Sequence, residues 1–127
     1  MRDSREIQVL VVDDDLALCE LLRTTFELEG IRVLEAHHVI EAERLLIGTR
    51  PDAIVLDMGL PVMDGFELAM QMRRSSIKPL RLIALTGYGQ DQDRARTSDA
   101  GFDAHLVKPV EIDDLDEVIS ELGGAGP

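Results

Sequence analysis

The chain has 127 residues, a formal net charge of −12 and one cysteine, Cys19. This length predicts a single domain over 1–127, with a core at about 7–122 and a short flexible C-terminal tail. The lone cysteine excludes a disulfide within the chain, and the negative charge disfavours direct binding to nucleic acid or anionic lipid because both are polyanions.

Five short runs rich in branched apolar residues predict β-strands, and longer segments with helical spacing lie between them. The runs are 7–12, 31–36, 53–56, 81–85 and 104–107. Five strands alternating with five helices are typical of a parallel sheet covered on both faces, whose strands are almost continuously apolar. We therefore expect an α/β protein with the flavodoxin-like doubly wound (βα)5 fold, a three-layer sandwich with strand order 2-1-3-4-5.

The first and last predicted helices each carry an apolar stripe that should pack on the sheet. The stripe positions are Leu18, Leu22 and Phe26 in the first helix and Ile112, Leu115, Ile119 and Leu122 in the last. The opposite side of the last helix is acidic, with Asp113, Asp114, Asp116, Glu117 and Glu121. Gly30 and Gly101 stand where helices should end, just before the second and fifth strands.

Polar and charged side chains stand at the ends of four predicted strands. The first strand is followed by Asp13, Asp14 and Asp15, the third ends in Asp57, Thr86 follows the fourth and Lys108 follows the fifth. Ligands of doubly wound folds bind at the carboxyl ends of the strands. These side chains should therefore meet at one crevice.

Carboxylates crowded into such a crevice predict a cation site. Two carboxylates about 4 Å apart repel by roughly 4 kcal/mol at an effective dielectric constant of about 20, so crowding raises a pKa or recruits a cation. Oxygen ligands favour magnesium, calcium or manganese over zinc. Once the charge is offset, a carboxylate can act as the nucleophile for a phosphoryl group. Lys108 can then add a positive contact, and the Thr86 hydroxyl can donate to a phosphoryl oxygen.

Four motifs, in this order and spacing, resemble the receiver domain of two-component response regulators over residues 9–122. They are VLVVDDD at 9–15, PDAIVLDMGLPVMDG at 51–65, LIALTG at 82–87 and HLVKPV at 105–110. The resemblance implies a phospho-acceptor switch of a two-component or phosphorelay system. Its phosphodonor would be a phosphohistidine on a histidine kinase or histidine phosphotransfer protein, and the phosphoryl group would alter a protein-binding surface.

The resemblance also implies a role for individual residues. Asp57 would be the phosphorylated aspartate, and Thr86 and Lys108 would complete the catalytic set. Mg²⁺ (or Mn²⁺) would be held, directly or through water, by Asp13, Asp14, Asp57 and the backbone carbonyl of Gly59. Pro109 matches a proline that usually follows a cis peptide bond, which would aim Lys108 into the pocket.

Further positions bear on switching and on dephosphorylation. Thr86 would follow the phosphoryl group, and His105 stands where the family usually has the Tyr or Phe ring that turns inward with it. A histidine ring can rotate similarly, but its charge can respond to pH near about 6.5. Gly87 and Tyr88 belong to a glycine-rich loop that the phosphoryl group could reorder. Gly59 offers no side chain at the site whereas Tyr88 would screen it, so Gly59→Asn and Tyr88→Ala should change the phosphorylated lifetime.

Several acidic, histidine and cysteine positions also have structural explanations. One of Asp14 and Asp15 should cap the first helix, because aspartate is a favoured N-cap. His37 and His38 follow the edge strand and are expected on the surface. Cys19 lies in the first helix and is expected to be a small buried or half-buried apolar residue.

Other functions share parts of this pattern. Asp13-x-Asp15 after the first strand also resembles the nucleophile and acid of haloacid-dehalogenase-type phosphatases, in which Asp13 would be phosphorylated. That family's following glycine and threonine and its cap insertion are missing here. A flavin carrier would need a Ser/Thr/Gly-rich phosphate loop where this chain is acidic. A receiver that only docks is a third alternative. We expect no enzyme activity beyond the chain's own phosphotransfer and slow autodephosphorylation.

The ends of the chain bear on its cellular context. We expect no output domain after the last predicted helix, which would fit a free single-domain regulator or a receiver of a hybrid sensor kinase, with protein contact as the output. The acidic last helix lacks the mixed charges of dimerising receivers, so we expect a monomer or weak dimer. The charged start has no apolar region of a signal peptide, and no apolar run approaches the ~20 residues of a membrane helix. We expect a cytoplasmic protein without membrane insertion.

Overall fold

Five strands and three helices make up the part of the chain that the computed structural model describes, residues 7–49, 51–57, 81–87 and 102–122. The strands are β1 (Gln8–Val12), β2 (Arg32–Ala36), β3 (Ala53–Asp57), β4 (Arg81–Thr86) and β5 (Ala104–Val107). The helices are α1 (Leu16–Leu28), α2 (Val39–Gly48) and α3 (Ile112–Leu122). The predictions for Gly59, Tyr88 and Gly101 lie outside the described residues. No helix in the described ranges has the length and apolar character needed to cross a membrane.

All five strands pair in parallel, in the order β2-β1-β3-β4-β5. This confirms the flavodoxin-like strand order predicted from the sequence. Two strands run one residue further than their apolar runs, because the backbone ladder continues through polar side chains. Asp57 is the last residue of β3 and lies beside Leu85, and Thr86 is the last residue of β4 and lies beside Val107.

The two faces of the sheet carry separate apolar layers because successive side chains of a strand point to opposite sides. One layer contains Val9, Val11 and Val55 and is covered by α1 and α3. The other contains Leu10 and Ile54 and packs against α2. Both layers are buried, which accounts for the apolar character of every central strand position.

The end of α1 shows how the chain turns into β2. Gly30 has φ of +81°, a left-handed conformation that favours glycine. Its N–H donates to the carbonyl of Glu27 at 3.1 Å, and the N–H of Ile31 donates to the carbonyl of Phe26 at 3.0 Å. These two bonds satisfy carbonyls left open by the last helical turn. The predicted stop at Gly30 is confirmed.

The apolar stripe of α3 differs from its prediction at one end. Leu115 and Ile119 are buried as expected, and Val118 joins them. Ile112 is 54% exposed, so its assignment to the core is wrong. At 100° per residue, Ile112 lies about 70° from the mean direction of the buried face, and it also begins the helix, where fewer neighbours pack against it.

Candidate functional site

Strand alternation brings Asp13, Asp57 and Lys108 to one side of the sheet. Val11 of β1 lies beside Val55 of β3, so two residues later Asp13 and Asp57 point to the same face at the carboxyl edge. The N–H of Asp13 donates to the carbonyl of Ala36 at 3.0 Å, which continues the ladder beyond β1. This face is the one that α1 and α3 cover.

Lys108 completes the site from the end of β5, on the same face of the sheet as Asp13 and Asp57. Its backbone N–H donates to the carbonyl of Thr86 at 3.0 Å, which holds the start of the turn after β5. The peptide bond between Lys108 and Pro109 is cis, as the resemblance implies. The Lys108 ammonium donates to Asp57 Oδ2 at 3.2 Å and lies 3.2 Å from Asp13 Oδ2. The charges of Asp57 and Asp13 outweigh the effect of burial and raise the pKa of Lys108.

The Asp13 carboxylate is fully buried and only half satisfied. Its Oδ1 accepts the N–H of Asp15 at 2.9 Å. Its Oδ2 makes an ionic contact with the Lys108 ammonium, but the contact does not have the geometry of a hydrogen bond. No described residue donates a hydrogen bond to this buried oxygen. Burial, joined by the negative charge of Asp57, raises the pKa of Asp13 to about 6, although the Asp15 N–H and Lys108 partly oppose it. Such an oxygen is suited to bind a cation.

The residues present fit a hard divalent cation. Asp13, Asp14 and Asp57 each offer a carboxylate oxygen, and these oxygens lie within 4.8 Å of one another. Asp13 and Asp57 are buried whereas Asp14 is exposed. An all-oxygen set with an unsatisfied buried member suits Mg²⁺ or Mn²⁺. The fourth predicted ligand, the Gly59 carbonyl, lies outside the described residues.

Asp15 has a structural role. It is the N-cap of α1, and its Oδ1 accepts the N–H of Leu18 at 3.2 Å. The sequence allowed either Asp14 or Asp15 to cap this helix. The structure selects Asp15, which leaves Asp14 for the carboxylate cluster.

Thr86 and His105 share the opposite face of the sheet. Thr86 is buried, with 3% of its surface exposed, and lies beside Val107. His105 lies beside Ala84, two residues earlier in each strand, and is half-buried. Strand alternation therefore points both side chains to the same side. Gly87 follows β4 and is exposed.

A second cluster adjoins the site, and sequence reasoning missed it. Cys19, Glu35 and His37 each bring a potential ligand atom to within 4.8 Å of the others. The surface prediction holds for His38, whereas His37 is half-buried and its Nε2 lies 3.2 Å from Glu35 Oε1. The spacing of Glu35 and His37 places both on one strand face, but only packing brings Cys19 to them. Cys19 is buried as expected, and burial raises the pKa of its thiol to about 12.

Comparison with known families gives one consistent result. A sequence model of the response regulator receiver domain matches residues 9–120. The response regulator MprA of Mycobacterium ulcerans is 38% identical over 109 residues, which cover 86% of this chain and 47% of that protein. The DNA-binding dual master transcriptional regulator RpaA of Synechocystis is 33% identical over 109 residues, which cover 85% of this chain and 45% of that protein. This chain spans about half the length of these curated relatives.

Solved structures show the same likeness. A CheY-like response regulator receiver domain protein from Methanospirillum hungatei superposes with a TM-score of 0.80 at 31% identity, over 91% of this chain and 92% of that one. The chemotaxis response regulator CheY4 of Vibrio cholerae has a TM-score of 0.82 at 27% identity, over 92% of this chain and 98% of that one. The likeness therefore extends over nearly the whole of both structures.

Proposed function

This chain belongs to the response regulator receiver domain family, and we propose that its Asp57 accepts a phosphoryl group from a phosphohistidine donor. The observation that carries the proposal is the contact of Lys108 with both Asp57 and Asp13 at the carboxyl edge of the sheet. A nearly buried carboxylate with a cation on one side and an unsatisfied carboxylate oxygen on the other is suited to receive an anionic group once a metal ion is added.

The transfer is a displacement at phosphorus. A carboxylate oxygen of Asp57 attacks the phosphorus, the bond from phosphorus to the donor imidazole nitrogen breaks, and its electron pair stays on the imidazole. The products are an aspartyl phosphate and a free histidine on the donor. The Lys108 ammonium already lies 3.2 Å from Asp57 Oδ2, so it can contact the transferred phosphoryl group with only a small movement of its side chain.

A bound Mg²⁺ or Mn²⁺ supplies the positive charge that offsets the repulsion between the carboxylates and the phosphoryl oxygens. Asp13, Asp14 and Asp57 would hold it. Asp13 would offer its Oδ2, which accepts no hydrogen bond from a described residue, because its Oδ1 already accepts the N–H of Asp15. The backbone therefore fixes the orientation of this carboxylate before the ion arrives.

The phosphorylated state changes a surface that another protein recognises. The Thr86 hydroxyl donates to a phosphoryl oxygen, and His105 on the same sheet face adjusts to the movement of Thr86. The donor is a histidine kinase or histidine phosphotransfer protein in the cytoplasm, and the chain acts as a monomer or weak dimer. Its chemistry is limited to its own phosphotransfer and slow autodephosphorylation.

The phosphatase alternative requires Asp15 to act as an acid beside a phosphorylated Asp13. Asp15 Oδ1 instead accepts the N–H of Leu18 at the start of α1, which favours the switch over the hydrolase. The acidic loop after β1 likewise disfavours a flavin phosphate, because the group that would bind there is an anion.

The test is direct mapping of the phosphorylated residue. The protein is incubated with phosphoramidate and Mg²⁺, and its intact mass and borohydride-trapped peptides are measured. We expect one phosphoryl group on Asp57 in the wild type and none in Asp57→Asn. Asp116→Asn, an exposed carboxylate change on α3, is the matched control and should be labelled like the wild type. A phosphoryl group on Asp13 would support the hydrolase. An unlabelled wild type would leave only the alternative of a receiver that docks without accepting a phosphoryl group.

A further inference from the structure

Three different donor side chains meet between α1 and the end of β2. Glu35 and His37 are two positions apart and point to the same face of the sheet, the face on which α1 packs. Cys19 of α1 is fully buried beneath them. The thiol, carboxylate and imidazole ligand atoms all lie within 4.8 Å of one another. This set adds sulfur and nitrogen donors, which the acidic pocket lacks.

The spacing of the donors is close to that of a tetrahedral site. His37 Nε2 lies 3.2 Å from Glu35 Oε1. Zinc bonds of about 2.0–2.1 Å to nitrogen and oxygen, at tetrahedral angles, place two such ligands about 3.3 Å apart. A thiolate at about 2.3 Å from the same ion would stand about 3.6 Å from each of the other two ligand atoms. Cys19 Sγ lies within 4.8 Å of them, so it needs to approach by at most about 1.2 Å.

Two of the donors are already held by outer partners. Arg23 Nε donates to Glu35 Oε2 at 2.5 Å, which leaves Oε1 on the histidine side and lowers the pKa of Glu35. Glu41 Oε1 accepts the backbone N–H of His37 at 2.8 Å and lies 3.9 Å from its Nδ1. Protein metal sites commonly hold a ligating carboxylate by a hydrogen bond and place a carboxylate behind the second nitrogen of a ligating histidine.

We propose that Cys19, Glu35 and His37 bind one borderline-soft divalent cation of the Zn²⁺ class, at a site separate from the acidic pocket. The Cys19 Sγ–metal bond forms as the thiol proton leaves to solvent, and water completes the tetrahedron. The half-exposed side of His37 provides the entry path. The proposal does not depend on phosphorylation of Asp57.

A metal ion bound at this site would affect the acidic pocket through one hydrogen bond, which joins Cys19 to Asp13. Cys19 Sγ now donates to the backbone carbonyl of Asp13 at 3.4 Å. Metal binding removes that donor, so the strand end that carries Asp13 loses one of its fixed contacts. The second ion is therefore expected to alter the affinity of the acidic pocket for Mg²⁺ as well as to bind on its own.

The experiment uses Co²⁺ as a spectroscopic probe, with excess Mg²⁺ present to occupy the acidic pocket. A thiolate bound to Co²⁺ gives a sulfur-to-metal charge-transfer band in the near ultraviolet, which oxygen ligands do not give. We expect one equivalent of Co²⁺ to produce this band and Zn²⁺ to abolish it by displacement. Cys19→Ser should remove the band, and His37→Gln and Glu35→Gln should each weaken binding by at least about tenfold.

The matched control is His38→Asn, which changes the neighbouring exposed histidine and keeps a good N-cap for α2. It should bind Co²⁺ like the wild type, and so should Asp116→Asn, an exposed carboxylate change on α3. Circular dichroism checks that each variant is folded. A wild type without the sulfur band, a His37→Gln variant with unchanged affinity, or loss of the band in Asp116→Asn would each overturn the proposal.

Discussion

The Lys108 ammonium donates a hydrogen bond to Asp57 Oδ2 at 3.2 Å, although 51 positions separate the two residues. The same nitrogen lies 3.2 Å from Asp13 Oδ2. The Lys108 ammonium thus contacts two carboxylates, of which Asp13 is the more deeply buried. The pocket has more negative than positive charge, and its stability and ligand binding should both reflect that imbalance.

We predict that Asp13→Asn stabilises the metal-free protein at neutral pH. Asp13 has a pKa of about 6 when folded against an ordinary value of 3.8, so the folded state binds more protons between these values and stability falls as pH rises through this window. Removing the charge should raise the free energy of unfolding at pH 7 by on the order of 2 kcal/mol. Urea denaturation with a chelator present measures it.

The gain should disappear near about pH 3, below both values, where Asp13 is mostly protonated in both states. Asp14→Asn is the control, because Asp14 is exposed and its replacement should change stability little at either pH. Two results would contradict this explanation. One is an Asp13→Asn variant that is less stable than the wild type at pH 7, and the other is the same gain in the free energy of unfolding at both pH values.

Mg²⁺ should stabilise the wild type by binding only its folded state. At about 100 times its Kd, the expected gain in the free energy of unfolding is about 2.7 kcal/mol. Asp13→Asn and Asp57→Asn should lose most of this gain because each removes a carboxylate of the cluster. Asp116→Asn on α3 should keep it. If Mg²⁺ stabilised all four proteins equally, the ion would bind at another site. Where Mg²⁺ raises the free energy of unfolding, addition of a chelator should reverse the increase.

Asp15→Ala should destabilise the protein by about 1 kcal/mol, the usual cost of a lost N-cap. Asp15 Oδ1 accepts the N–H of Leu18, so Asp15→Asn should retain most of the stability. Neither variant should change Mg²⁺ affinity, which isothermal titration can measure. If Asp15→Ala abolished Mg²⁺ binding while Asp14→Ala left it intact, the two aspartates would have exchanged roles.

Thr86→Ala should weaken binding of beryllofluoride with Mg²⁺ by roughly tenfold, because one hydrogen bond to an anion is lost. Thr86→Ser keeps the hydroxyl and should bind nearly as the wild type does. Amide chemical shifts of β5, including His105, should respond to beryllofluoride in the wild type and much less in Thr86→Ala. A full β5 response in Thr86→Ala would show that the signal does not pass through Thr86.

Much of this protein follows from patterns that are local in the sequence. Strand and helix periodicity indicated the fold, and the parallel order places the strand ends at one edge. Asp57, Thr86 and Lys108 could be assigned to the pocket on that basis alone. The faces to which Asp57 and Thr86 point were not predicted. The pairing register of β3 with β4 places them on opposite faces.

Only the tertiary structure decided how the neighbouring side chains differ from one another. Asp13 and Asp14 are adjacent and chemically identical, yet one is buried with an unsatisfied oxygen and the other is exposed. The approach of Cys19 to Glu35 and His37 is likewise invisible in the sequence. Burial and desolvation depend on packing between segments that are far apart along the chain. The sequence pattern therefore identifies the reactive residues but does not determine their protonation state or their contacts.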